Sequence, residues 1–258
     1  MEQPKVGLFI TCLVNSMRPS VGFASFKLIQ EMGCDVEVPL SQTCCGQPGY
    51  NNGLPDSSRD LAKQLIQQFE AFDYVVCPSG SCAGMLKNHY PKLLSEDKSW
   101  FSRASNLAAK TYELTQFLLN SPIAKSQTQH SSRVFSQSGV EKKTVHHHSC
   151  SCLRELGIKD TPETLLRNSI GNENLINLSN PESCCGFGGT FAVKFSDISK
   201  HLGREKLVDA KNAGAQCITS SDLGCLLHLA RVNDEKDHLE LRHISEILCG
   251  QPQGAPIK

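Results

Sequence analysis

Short apolar runs alternate with amphipathic segments along the first part of the chain. Residues 5–11 (KVGLFIT) predict a buried strand and residues 22–32 a helix. A second strand is predicted at 35–40, a helix at 57–72 with apolar residues at helical spacing, and a third strand at 73–82. Strands that alternate with helices are typical of a parallel α/β sheet.

The same order of elements returns later in the chain, at 143–150, 174–185 and 216–225. A doublet followed by glycine marks both copies, because CCG at 44–46 recurs 140 residues later at 184–186. Other cysteines keep similar offsets, namely Cys12 and Cys150 (138), Cys77 and Cys217 (140), and Cys82 and Cys225 (143). The sequence therefore predicts two similar Rossmann-like α/β halves with parallel sheets, related by internal duplication.

The duplication divides the chain into four parts. We expect a first cysteine-rich repeat at 1–119 and a second at 144–249. Residues 120–143 are rich in Ser, Gln and Lys and predict a linker. Residues 250–258 predict a loose tail.

Composition narrows the class of protein. With 26 basic and 26 acidic residues among 258, the net charge is zero, which argues against a nucleic-acid-binding face. No apolar run approaches the roughly 18 residues of a membrane span, so we expect a cytoplasmic protein. The chain has thirteen cysteines, and in a reducing compartment metal ligation or redox chemistry explains so many thiols better than disulfides do.

Four cysteines in each half follow the ends of predicted strands, where α/β proteins gather their functional groups. Four thiolates from three loops are the ligand set of an iron–sulfur cluster or an all-cysteine zinc site. The candidate ligands are Cys12, Cys44, Cys45 and Cys82 in the first half, and Cys150, Cys184, Cys185 and Cys225 in the second. We call these two sets the first and second quartets.

The remaining cysteines have simpler explanations. Cys34 and Cys249 are isolated and predict packing. Cys77 and Cys217 lie within apolar strands and predict packing, with a fifth-ligand role as the alternative. Cys152 is an alternative ligand to Cys150, two residues earlier, and we favour Cys150.

Three further features lie close in sequence to the quartets. The three consecutive histidines at 146–148 cannot converge on one ion, since alternate strand residues face opposite sides. We expect them to pack, with His148 near a ligand as the alternative. Lys194 follows the second doublet and either carries positive charge toward an anionic cluster or is solvated. The run GFGG at 186–189 lacks the spacing of a dinucleotide fingerprint.

The pattern of a lone cysteine, a gap of 31 or 33 residues, CCG and a closing cysteine resembles the cysteine-rich CCG family. That family includes iron–sulfur subunits of heterodisulfide reductase, glycolate oxidase and anaerobic glycerol-3-phosphate dehydrogenase. Its short two-repeat members are matched by HHSCSCLRELGI (147–158), PSGSCAGM (78–85), YELTQFL (112–118) and CCGFGGTFAVKFSDIS (184–199).

The resemblance implies an electron-transfer subunit of an NAD-independent system that oxidises L-lactate to pyruvate. It implies one or two iron–sulfur clusters per chain, of the [4Fe–4S] type, held by the two quartets. It also implies partner subunits, at least one of them a further iron–sulfur protein, with any membrane contact made through them. The chain itself is expected to carry electrons, not to oxidise the substrate.

The sequence departs from heterodisulfide reductase at the closing motif. There the motif ends in Cys-x-x-Cys, whereas here the closing pairs are Cys77-x4-Cys82 and Cys217-x7-Cys225. This difference favours four ligands per half. Two alternatives stay open: a thiol–disulfide redox subunit, in which a cysteine pair cycles through a disulfide, and a scaffold stapled by zinc.

Overall fold

The computed structural model describes residues 3–126, 142–233, 239–250 and 255–257. Within them the chain forms two parallel sheets, one in each half, with helices between successive strands. This confirms the predicted pair of similar α/β halves. The strands are β1 (Lys5–Leu8), β2 (Asp35–Glu37), β3 (Tyr74–Cys77) and β4 (Thr111–Glu113) in the first sheet, and β5 (Thr144–His147), β6 (Cys217–Ser220) and β7 (Glu240–His243) in the second.

The two sheets share one topology. The first has the order β2-β1-β3-β4 and the second the order β5-β6-β7, with every pairing parallel. Beyond β5, a single parallel bridge joins Thr144 to Leu175 in the place that β2 takes beside β1. The strand predicted at 174–185 is therefore reduced to one bridge, because the chain leaves the sheet for the turn-rich approach to the second doublet.

The pairing register corrects one predicted equivalence. Val6 of β1 pairs with Tyr74, and Thr144 of β5 pairs with Cys217. Cys217 therefore begins its strand and corresponds to Tyr74, whereas Cys77 ends β3. The shared offset of 140 residues did not reflect a shared position in the fold.

Helices connect the strands and surround the sheets. Most predicted helices are present. The amphipathic segment 57–72 forms the helix Pro55–Phe69, which buries Ala62, Leu65 and Ile66. The α-helices are Cys12–Met17, Pro19–Glu31, Gln47–Asn51, Pro55–Phe69, Gly80–Gly84, Tyr90–Leu93, Lys98–Ala109, Leu114–Asn120, Pro122–Ser126, Asp160–Ile170, Phe191–Lys194, Ser196–Asn212, Leu223–Val232 and Ile244–Leu248. Two π-helical turns lie at Met85–His89 and Ser151–Glu155.

The predicted linker and tail are partly structured. The helix Pro122–Ser126 occupies the start of segment 120–143 and buries Ile123 and Ala124, while 127–141 lies outside the described residues. In the predicted loose tail, Ile257 is buried and its N–H donates to the carbonyl of Leu241 at 3.0 Å. Residues 251–254 and 258 lie outside the described ranges.

The halves pack closely against each other. One core cluster draws apolar residues from both, including Leu28 and Phe117 from the first half and Leu165 and Ile247 from the second. Arg18 forms a 2.8 Å ion pair with Glu246, whose side chain is fully buried. No helix in the described part of the chain is long and apolar enough to cross a membrane.

Candidate functional site: two cysteine quartets on one cavity

The carboxyl-terminal edges of the two sheets meet at a cavity of about 430 Å³. Parallel strands deliver their following loops to that edge, so functional groups from three loops of each half collect there. All eight predicted ligands line the cavity, namely Cys12, Cys44, Cys45, Cys82, Cys150, Cys184, Cys185 and Cys225. The structure thus brings both quartets to one place.

In the first quartet, local structure fixes each cysteine. Cys12 begins a helix directly after β1, and the Thr11 hydroxyl caps that helix by accepting the Val14 N–H at 3.4 Å. Cys82 lies in the helix after β3. The thiol sulfurs approach in pairs, with Cys12 Sγ 3.7 Å from Cys44 Sγ and Cys45 Sγ 3.5 Å from Cys82 Sγ.

The second quartet repeats this arrangement. Cys150 follows β5 and Cys225 lies in the helix Leu223–Val232. The thiol of Cys150 is hydrogen-bonded to that of Cys184, and the thiol of Cys185 to those of Cys184 and Cys225. The same chain of four sulfurs therefore forms in both halves.

The glycine after each doublet has a conformational role. Gly46 has φ +82° and Gly186 φ +89°, a left-handed backbone that other residues adopt only with strain. This turn aims backbone N–H groups at sulfur, since Gly186 donates to Cys184 Sγ at 3.3 Å and Phe187 to Cys185 Sγ at 3.5 Å. Such N–H···S bonds stabilise negative charge on sulfur.

The charge within each quartet concentrates on one sulfur. Hydrogen bonds from neighbouring thiols, chiefly that of Cys12, lower the pKa of Cys44 to about 2. Hydrogen bonds led by that of Cys150 lower the pKa of Cys184 to about 2 in the same way. The hydrogen bond to Cys44 and burial raise the pKa of Cys12. The first cysteine of each doublet thus loses its proton most readily, and the thiolate is the form in which cysteine binds metals.

A buried carboxylate joins the halves beside the cavity. Asp222 accepts the Ser79 hydroxyl at 2.6 Å, and the N–H and hydroxyl of Ser81 at 3.1 and 2.9 Å. Its other oxygen accepts the hydroxyl of Ser149. Hydrogen bonds to a charged group each contribute about 1.5–3 kcal/mol, so this node fixes the relative position of the two quartets. The sequence prediction missed it because its partners are distant in sequence.

The other cysteines lie away from the cavity. Cys34, Cys77, Cys217 and Cys249 are buried in the core clusters, and burial raises the pKa of each thiol. Cys152 is buried against the other half, because a Cβ added to Gly80 would lie 2.2 Å from its sulfur.

The three histidines separate as strand geometry requires. His147 is fully buried, and its ring nitrogen lies within 4.8 Å of the sulfurs of Cys185 and Cys225. Burial lowers its pKa to about 3, so it is a neutral imidazole. His146 and His148 stack edge-on with centroids 4.8 Å apart, and His148 contacts the carboxylate of Glu163 at 3.0 Å. The histidine that reaches the site is thus the middle one, which the sequence prediction did not single out.

The buried lysine near the second quartet is Lys206 and not Lys194. Lys194 is exposed, and its ammonium donates to the Asn52 side chain at 3.3 Å. Lys206, which the prediction passed over, is 1% exposed and lies beside the second quartet. No local pattern marks it, because the positions 199, 203, 206 and 207 that its helix buries include a single large apolar residue, Leu207.

The comparisons with known proteins agree with this geometry. The family described as CCG, cysteine-rich domain, matches residues 6–87 and 144–230, one match in each half. The chain belongs to the CCG cysteine-rich family. The two matched ranges contain all eight quartet cysteines of this CCG protein.

Its relatives match almost end to end. The chain is 41% identical over 245 residues to "Lactate utilization protein A" of Bacillus licheniformis, covering 95% of this chain and 98% of that protein. Proteins of the same name from Geobacillus kaustophilus, 42% identical with the same coverage, and Halalkalibacterium halodurans, 41% identical over 96% and 97%, match as well. Because 97–98% of their length is matched, these relatives are about as long as this chain, as expected for the short members of the family.

The donor set of this CCG protein fits an iron–sulfur cluster. A tetrahedral zinc site with Zn–S bonds of about 2.3 Å holds its four sulfurs about 3.8 Å apart. Among the described residues, the one set of three ligand atoms within 4.8 Å of one another is His147, Cys185 and Cys225. The sulfurs of the first quartet approach in pairs, at 3.7 and 3.5 Å, but no three of them lie within 4.8 Å of one another, so they do not close around a single ion. Four cysteines from three loops can instead supply one thiolate to each iron of a cluster.

Proposed function

We propose that the chain is an iron–sulfur electron-transfer subunit of an NAD-independent system that oxidises L-lactate to pyruvate. The observation that carries the proposal is the gathering of two four-cysteine sets on one cavity. Eight converging thiols with backbone N–H groups aimed at sulfur are the equipment of a redox cofactor. The lactate part rests on the relatives, whose shared name is "Lactate utilization protein A".

Each quartet supplies four thiolates for one [4Fe–4S] cluster, which when bound accepts and returns one electron at a time. The chain's own residues control the setting. The glycine turns bring N–H donors to the sulfurs, and the apolar cores behind Cys45 and Cys185 limit water. Because both quartets line one cavity, electrons need to cross only that space to pass between the halves.

Lactate oxidation releases two electrons and two protons, and we assign that step to a partner subunit. The chain would receive the electrons singly and pass them to another iron–sulfur protein of the system. All thirteen cysteines are free thiols, which suits a reducing cytoplasm. Contact with a membrane, where it occurs, would be made through the partners.

A zinc site is the second candidate, favoured by one observation. His147, Cys185 and Cys225 bring three ligand atoms within 4.8 Å of one another, a set that zinc accepts readily. In that case the second half would be a structural site without redox activity.

Metal analysis separates these functions. We would purify the full chain without oxygen, measure iron, acid-labile sulfide and zinc, and record an electron paramagnetic resonance (EPR) spectrum after dithionite reduction. Four or eight iron with matching sulfide and a reduced-cluster signal are expected. Zinc alone, or no metal after anaerobic reconstitution with iron and sulfide, would refute the proposal.

A further inference from the structure

The two helices behind the doublets can be compared residue by residue. Pro55–Phe69 and Ser196–Asn212 bury faces with the same spacing, at positions 58, 62, 65, 66 and 69 and at positions 199, 203, 206, 207 and 210. The match is anchored by two serines, since Ser58 donates to the carbonyl of Gly46 at 3.2 Å and Ser199 to that of Gly186 at 2.7 Å. Lys206 therefore stands where the first half has Leu65.

Lys206 is a buried cation that faces the second quartet. Its ammonium donates to the carbonyls of Asn180 and Pro181, just before the doublet, at 2.7 and 3.4 Å. No carboxylate among the described residues lies within 4.0 Å of its nitrogen. Burial lowers the pKa of Lys206, and the nearby groups that favour its charge are Asp209, beyond ion-pair distance, and then the thiols of Cys185, Cys184 and Cys150. Leu65, also buried, brings no charge to the first quartet.

The two halves also differ at the residues that follow β1 and end β5. The register that matches Val6 with Thr144 also matches Phe9 with His147. Phe9 packs edge-on against Phe69 with centroids 5.7 Å apart, in the apolar cluster behind the first quartet. His147 instead brings a polar ring to the second quartet, and neither ring nitrogen has a hydrogen-bond partner among the described residues.

We propose that the second quartet holds the centre with the higher reduction potential, and that Lys206 sets the difference. The inference rests on the proposed iron–sulfur function. Reduction adds negative charge to a buried anionic cluster, and a fixed ammonium in a low-dielectric site stabilises that charge. The first quartet lacks this stabilisation. An electron that enters the chain therefore settles on the second half.

The test is a redox titration of the anaerobically loaded full chain with dithionite, followed by EPR. We expect two midpoint potentials, the higher one surviving alone in Cys45→Ser and the lower one in Cys185→Ser. Lys206→Met, which imitates the apolar first half, should lower the higher potential by at least 59 mV, a tenfold change in the equilibrium between the centres. Lys206→Arg keeps the charge and should keep the potential.

The control is Arg204→Met, which removes an exposed positive charge from the same helix and should leave both potentials in place. Equal potentials, a single centre per chain, or no shift in Lys206→Met would overturn the inference while leaving an iron–sulfur protein. If Lys206→Met does not fold, the two cysteine variants still test the inference, because it requires the centre left in Cys45→Ser to have a higher potential than the one left in Cys185→Ser. Absence of iron and sulfide would instead refute the proposed function.

Discussion

The two halves share the arrangement of their cysteine quartets and differ in what surrounds it. Both place four cysteines at the same strand ends and turn at a left-handed glycine after the doublet. At three matched positions behind the quartets, the residue of the first half is apolar and that of the second half is polar or charged. Two pairs are Phe9 with His147 and Leu65 with Lys206. The third is Met85 with His228, which lie three residues after Cys82 and Cys225.

This difference indicates how a duplicated protein can give two similar sites different electrostatic surroundings. In the proposed function both halves would need their four cysteines and their turn glycine, whereas the residues behind them can differ and change the electrostatics of each centre. Asp222 does not belong to either side of the comparison, because it bonds to serines from both halves. It holds the halves together while their surroundings differ.

Removing one doublet cysteine from each half is the strongest test of independence. We expect Cys45→Ser and Cys185→Ser each to lose about four iron atoms per chain and to keep the other centre, because the quartets share no ligand. Iron and sulfide analysis measures the loss. Cys34→Ser, at a buried cysteine outside the quartets, is the control and should keep all iron. If either variant lost everything, the eight cysteines would form one shared centre and the comparison would fail.

The turn glycines test whether the halves tolerate change equally. A Cβ at Gly186 would lie 2.3 Å from the carbonyl oxygen of Ser199, whereas at Gly46 its nearest neighbour would be 3.5 Å away. Both alanine variants carry the left-handed strain of about 1–2 kcal/mol, and the clash adds about 1–3 kcal/mol at Gly186 alone.

Thermal unfolding should therefore show Gly186→Ala to be less stable than Gly46→Ala. At about 2–4 °C per kcal/mol, the expected gap in melting temperature is several degrees. Equal melting temperatures would mean that the second half relaxes around the added methyl group, and that its turn is no tighter than the first.

Sequence patterns predicted the repeated framework because local chemistry determines it. Apolar runs ending at cysteines gave β1, β3, β5 and β6, and the doublets located the loops. The last strand of each sheet, β4 and β7, was not predicted, since TYE and ELRH contain polar residues and no apolar run. Short strands owe their pairing to the neighbouring strand, which periodicity does not reveal.

The surroundings of the site were harder to predict than its ligands. A cysteine doublet that is repeated in register can be recognised from the sequence alone. A buried lysine cannot be distinguished from a surface lysine until the orientation of its helix is known. Lys194 was singled out because it lies close in sequence to the second doublet, whereas Lys206 lies 21 residues after Cys185 and comes near the quartet only through the fold. Long-range packing, not local pattern, decides which cation matters.

A pH-dependent comparison concerns the residues that cap the helices after the last strand of each sheet, β4 and β7. Glu113 and His243 occupy matched positions, each accepting an N–H from the first turn of the helix that follows. Burial raises the pKa of Glu113 to about 7 from 4.5, and burial lowers the pKa of His243. The same fold position thus responds to pH in opposite directions in the two halves.

For Glu113, the folded chain keeps a proton that the unfolded chain releases above pH 4.5. Its contribution to stability is therefore full below about pH 4.5, falls as the pH rises to about 7, and changes by about 3 kcal/mol in all. For His243 the sign is reversed, and stability is lost as the pH falls below 6.5. Glu113→Gln should remove the first dependence, and His243→Asn the second.

Melting temperatures of both variants and the unmodified protein, measured between pH 5 and pH 8, check this prediction. Relative to the unmodified protein, Glu113→Gln should gain stability as the pH rises from 5 to 7, because it has no carboxyl to ionise. His243→Asn should gain in the opposite direction, as the pH falls from 7 to 5. If both differences were flat with pH, burial would not shift these two groups as described, and the cap positions would not distinguish the halves.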